Sequence, residues 1–100
     1  MSLDINGYPT QDGLEAIKNY DLIHGSIDGF LDLIKDNWHY GDAGFKVDGT
    51  DSKHLELHTL GWSGNEDTFA AVMSNVLARA LYWQRSDRGG HHYFLFDRKW

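Results

Sequence analysis

Two polar segments hold the residues whose types and spacing suit chemistry. The first is Gly61-Trp62-Ser63-Gly64-Asn65-Glu66, directly before an apolar helical run. Such a loop at a helix N-terminus offers free N–H groups to an anion. Ser63 as a nucleophile would need Gly-x-Ser-x-Gly on a strand-to-helix turn. Asn65 stands where the second glycine is required, so that chemistry is not expected. Ser63-x-x-Glu66 matches a capping box, in which the serine hydroxyl and the glutamate carboxylate satisfy backbone N–H groups that the helix leaves free. Ser63 and Glu66 are therefore expected to cap the helix. Capping explains neither Trp62 nor Asn65. Trp62 reads as a lid over the core or as an exposed contact residue of the kind enriched in interface hot spots.

The second segment is Arg85-Ser86-Asp87-Arg88-Gly89-Gly90-His91-His92. Arg88 is a fork-shaped donor for a carboxylate or phosphate. His91 or His92 suits an acid, base or ligand role. Strand neighbours point to opposite faces, so these two histidines do not share one metal ion. A metal would need further ligands such as His54, Glu56 or His58, and nothing in the sequence makes them converge. No metal and no cofactor are expected, and the plain reading of the segment is a polar hairpin tip. The candidate binding residues are thus Trp62, Asn65, Glu66, Arg88 and His91.

Helices and hairpins must position these segments. Residues 1–9 carry Gly7 and Pro9 and read as an irregular arm. Thr10 or Asp12 would cap a short helix holding Leu14 and Ile17. After Gly25-Ser26, the residues Ile27, Phe30, Leu31, Ile34 and Trp38 form one apolar helical stripe. Asp28, Asp32, Lys35 and Asp36 lie off it and should face water. Phe45 and Val47 suggest a strand, followed by a turn at Gly49-Thr50-Asp51. Lys53–Thr59 alternates, with Leu55 and Leu57 on one face and His54, Glu56 and His58 on the other. Phe69, Val72, Met73, Val76 and Leu77 mark another helix, ending near Asn75–Leu77. Leu81, Tyr82 and Trp83 read as the start of a strand. The paired Gly89-Gly90 permits a tight hairpin into His91–Phe96. Trp38, Phe45, Phe69, Trp83, Phe94 and Phe96 are expected in the core. The element order is α-α-β-β-α-β-β. The expected fold is one α+β domain over residues 1–100, an antiparallel sheet of about four strands with helices on one face.

Composition narrows the function. The 100 residues include 15 acidic and 9 Lys or Arg residues, for a net charge of −6. That disfavours non-specific nucleic-acid binding, which needs a basic face to displace counterions. With no cysteine, a disulfide scaffold and a cysteine-ligated zinc site are excluded. No apolar run reaches the roughly 18 residues of a membrane span. Met1-Ser2-Leu3-Asp4-Ile5 lacks a basic stretch leading into an apolar one, so a cytoplasmic protein without signal peptide is expected.

The two segments together resemble a family of small phage and prophage proteins of unknown function. The matching pieces are His58-Thr59, Gly61–Glu66, Trp83 and Ser86-Asp87-Arg88-Gly89-Gly90-His91, and the resemblance spans roughly residues 30–96. Leu60 departs from the pattern, which has a glycine there. The resemblance implies a phage or prophage origin, a host-cytoplasmic location and no particular activity. The expected function is that of a small accessory protein binding a protein partner through the Trp62 loop and the Arg88 tip. The alternative is a small enzyme or anion binder. It would hold its ligand between the helix start near Asn65 and Arg88, with Glu66 or His91 carrying a proton. A third reading is a homo-oligomer joined through an edge strand near Phe94.

Overall fold

The computed structural model describes residues 8–38, 44–49, 52–59 and 63–96. Helix α1 (Gln11–Lys18) starts where Thr10 accepts a hydrogen bond from Gly13 N at 3.1 Å. Helix α2 (Ile27–Asp36) starts in the same way, with Ser26 Oγ accepting from Gly29 N at 2.9 Å. Each cap satisfies a donor that the first helical turn cannot satisfy itself. Phe30, Leu31 and Ile34 of the α2 stripe are buried, as is Trp38 just beyond the helix end. Asp28, Asp32, Lys35 and Asp36 are exposed.

Strands β1 (Phe45–Asp48) and β2 (Lys53–His58) form the first hairpin. Gly49, at φ +101°, takes the chain out of β1, in a region where an L side chain would be strained. Helix α3 (Ser63–Ser74) follows. It is tied to the end of α2 by the Thr68 hydroxyl, which donates to Asn37 O at 2.8 Å.

The chain then departs from the sequence expectation. Asn75 interrupts α3, and the helix resumes as a π-helical turn (Ala78–Tyr82). Leu81 and Tyr82 are therefore helical and do not begin a strand. The cause is a buried side chain with three partners. Asn75 Nδ2 donates to Ile17 O and Tyr20 O, each at 3.0 Å, and Asn75 Oδ1 accepts from Ala78 N at 3.2 Å. A side chain pulled toward α1 breaks the helical ladder, and single π-turns commonly mark such breaks. The break also ends the 3.6-residue stripe. Val72 is buried, whereas Val76 is 65% exposed.

Strand β3 (Trp83–Asp87) and strand β4 (His91–Phe96) complete an antiparallel sheet of order β1-β2-β4-β3. The hairpin turns through Gly89 and Gly90, at φ +89° and +80°. β4 is an interior strand, so the edges are β1 and β3 and not the strand carrying Phe94. Trp83 stands opposite Phe94 and Arg85 opposite Tyr93, leaving Gln84 as a bulge.

The fold is α+β, with the element order expected. Leu55, Leu57, Phe94 and Phe96 turn one sheet face toward Ile17, Phe30, Ile34, Val72 and Tyr82 of the helices. Phe96 meets the Phe30 ring edge-on at 5.9 Å and the Tyr82 ring at 4.8 Å. Trp83, expected in the core, is 40% exposed, at the start of an edge strand with no neighbour on its outer side. Among the described residues no helix is long and apolar enough to cross a membrane.

Candidate functional site

The sheet has a second face, which none of the described helices packs against. Strand periodicity puts every other residue there, and the ladder registers arrange those residues in rows. One row takes one residue from each strand: Lys46, Glu56, Tyr93 and Arg85. The row on one side is Asp48, His54 and Leu95. On the other side it is His58, His91 and Asp87.

The central row joins an ion pair at one end to a cation–π contact at the other. Lys46 Nζ lies 3.7 Å from a Glu56 oxygen. The Arg85 guanidinium carbon sits 4.4 Å from the Tyr93 ring centre, a cation–π arrangement. Arg85 Nε also donates to Asp87 at 3.4 Å. An open hollow of about 320 Å³ lies beside this row, lined in part by Asp48, His54, Glu56, Gln84 and Tyr93.

His58 and His91 face each other across β2 and β4, with their Nδ1 atoms 2.7 Å apart. That spacing is a hydrogen bond only if one ring carries the Nδ1 proton and the other a bare Nδ1. Glu56 Oε1 lies 3.7 Å from His58 Nε2, on the far side of the ring. The adjoining Thr59 N donates to Gly90 O at 2.9 Å and holds the end of this ladder.

His92 points the other way. It stacks on Phe69 of α3 at 3.5 Å between centroids, with 9° between planes. Its Nδ1 is 2.7 Å from Ser86 Oγ, which also accepts from Trp83 Nε1 at 3.1 Å. Partial burial, then the charges of His91 and His58, hold its pKa below the usual histidine value. The two neighbouring histidines thus diverge, as strand geometry requires. Among the described residues no group of three or more His, Asp or Glu side chains is placed to hold a metal ion.

The sequence-derived candidates separate. Trp62 and Gly61 lie outside the described residues. Ser63 is the first residue of α3 and is exposed, as is Glu66 in its first turn. No hydrogen bond joins Ser63 to Glu66 among the described residues. Asn65 is fully buried. This candidate binding residue is therefore not at the surface, because it lies on the side of α3 that also buries Gly64 and Thr68. Arg88 is exposed in the β3–β4 turn and forms no ion pair among the described residues. Nor does any hydrogen bond or ion pair bring Glu66 to Arg88 or His91. His91 meets His58 instead.

Comparison of the chain with protein-family models, with curated proteins and with solved structures finds no match.

Sequence reasoning set aside the residues that organise this face. His58 and Glu56 read as the polar side of a strand and as conceivable metal ligands, Arg85 only as the start of the hairpin segment and Tyr93 as a residue of the last strand. Parity carried a usable signal. Leu55 and Leu57 face the core, as do Phe94 and Phe96, which leaves His54, Glu56, His58, His91, Tyr93 and Leu95 on the opposite side.

Proposed function

We propose that this is a small accessory protein, of phage or prophage origin, that acts by binding another protein. The surface it presents is the open face of its sheet. The observation that carries the reading is the row Lys46–Glu56–Tyr93–Arg85, with one side chain from each of the four strands on that face. Tyrosine and arginine are enriched in interface hot spots. The Arg85–Tyr93 stack also removes part of the side-chain entropy that binding would otherwise cost. The origin rests on the resemblance of Gly61–Glu66 and Ser86–His91 to phage proteins. Arg88 borders this surface from the hairpin turn, one residue beyond Asp87.

Affinity capture from infected host cells tests the reading. Three proteins serve as bait: the wild type, a Glu56→Lys/Tyr93→Ala variant, and an Asp32→Lys variant on the exposed side of α2. Proteins held by the wild type and by Asp32→Lys should be lost from Glu56→Lys/Tyr93→Ala. Equal retention by all three would overturn it.

A further inference from the structure

We infer that β3 pairs antiparallel with β3 of a second copy of this chain, about a two-fold axis that brings the two Ser86 residues face to face. β3 is an edge strand, and all five of its residues are exposed. An edge strand presents unpaired N–H and C=O groups to any chain that fits. Proteins usually blunt such edges with charge. A run of one sign would repel a second copy, but this edge carries both signs on one face.

The pleat restricts the choices. Opposed residues must share a face, so a two-fold antiparallel seam must set one residue opposite its own copy. With Arg85 at the centre, two guanidinium groups meet. With Asp87 at the centre, two carboxylates meet. Like charges directly opposite are destabilising. With Ser86 at the centre, each Arg85 faces the other copy's Asp87, and the 3.4 Å ion pair now made within one chain is replaced by two across the seam. Trp83, 40% exposed, lies beyond the Gln84 bulge on the same face as Ser86, at the end of the seam. Leu81, 46% exposed just before the strand, adds apolar surface beside the seam.

The other edge fits less well. β1 is a residue shorter, and its Lys46 is drawn inward to Glu56. Pairing through β3 would join two sheets into one of eight strands and run their open faces together.

Sedimentation equilibrium of the purified full chain tests this without any host partner, so its outcome is separate from that of the capture experiment. The wild type should approach twice 11.4 kDa as concentration rises. Arg85→Asp alone and Asp87→Arg alone should each stay near the single-chain mass, because each seam then opposes like charges. An equimolar mixture of the two variants should return to twice the single-chain mass, since acidic and basic edges are complementary. Amide exchange over residues 84–87 of the wild type should also slow with concentration. A wild type that stays at the single-chain mass, single variants that dimerise as it does, a mixture that stays monomeric, or exchange independent of concentration would each overturn the inference.

Discussion

His58 and His91 are 33 residues apart in sequence and meet at 2.7 Å between Nδ1 atoms. The register of β2 on β4 alone makes this contact, so it reports whether the sheet is paired as described. A half-buried hydrogen bond of this kind contributes about 0.5–1.5 kcal/mol. A double-mutant cycle on His58→Ala and His91→Ala should therefore show a coupling of about that size. Strictly additive losses in urea denaturation would mean that the rings do not interact. Nitrogen-15 spectra of the imidazoles should show one ring with its proton on Nδ1.

His92 makes stability sensitive to acid. Its pKa is lowered in the fold, chiefly by burial and then by His91 and His58. The unfolded chain takes up the proton near the usual value of 6.5, while the folded chain resists it. The stabilisation is therefore complete above that pH and is lost as pH falls through it toward the lower folded value. His92→Gln keeps a polar partner for Ser86 without a titrating group. Its melting temperature should fall less between pH 7 and pH 5 than that of the wild type. Identical acid slopes would remove His92 as the source.

Asn75 ties the break in α3 to the end of α1. Asn75→Ala removes three hydrogen bonds, two of them buried and one partly buried, at about 1 kcal/mol each, and leaves backbone groups without partners. A loss of about 3 kcal/mol in chemical denaturation is expected. The neighbouring Val76→Ala, at an exposed position, should cost less than about 0.5 kcal/mol. Comparable losses for the two would show that Asn75 does not hold this junction.

The hairpin glycines should differ. Gly89 and Gly90 both have positive φ, but a Cβ on Gly90 would also collide with the Thr59 hydroxyl. The conformational strain alone costs about 1–3 kcal/mol at either position. Gly90→Ala should therefore destabilise more than Gly89→Ala in thermal melts, and Thr59→Ala should partly rescue it. Equal losses without rescue would place the turn elsewhere.

Local signals carried most of the fold. The cap at Thr10 or Asp12, met by Thr10, the stripe from Ile27 to Trp38, the alternation over Lys53–Thr59 and the Gly89-Gly90 turn each act within a few residues. All four are found where the chain pattern put them. What was not legible depends on distant partners. Asn75 reads as an ordinary helix-ending residue until the carbonyls of Ile17 and Tyr20 are brought to it. Trp83 reads as core by type, and its exposure follows from the edge position of β3, which no local pattern encodes. The open face was half legible, since parity assigned the side of each residue while the β2–β4 register that pairs His58 with His91 did not follow from either strand alone.

Site-specific photo-crosslinking tests most directly whether the open sheet face is the binding surface. A photoreactive phenylalanine analogue placed at Leu95, on that face, is compared with one at Lys35, on the exposed side of α2. The Leu95 probe should give a discrete crosslinked species in infected cells, and the Lys35 probe should not. Crosslinks from Lys35 alone, or the same species from both positions, would contradict the assignment of the binding surface to this face.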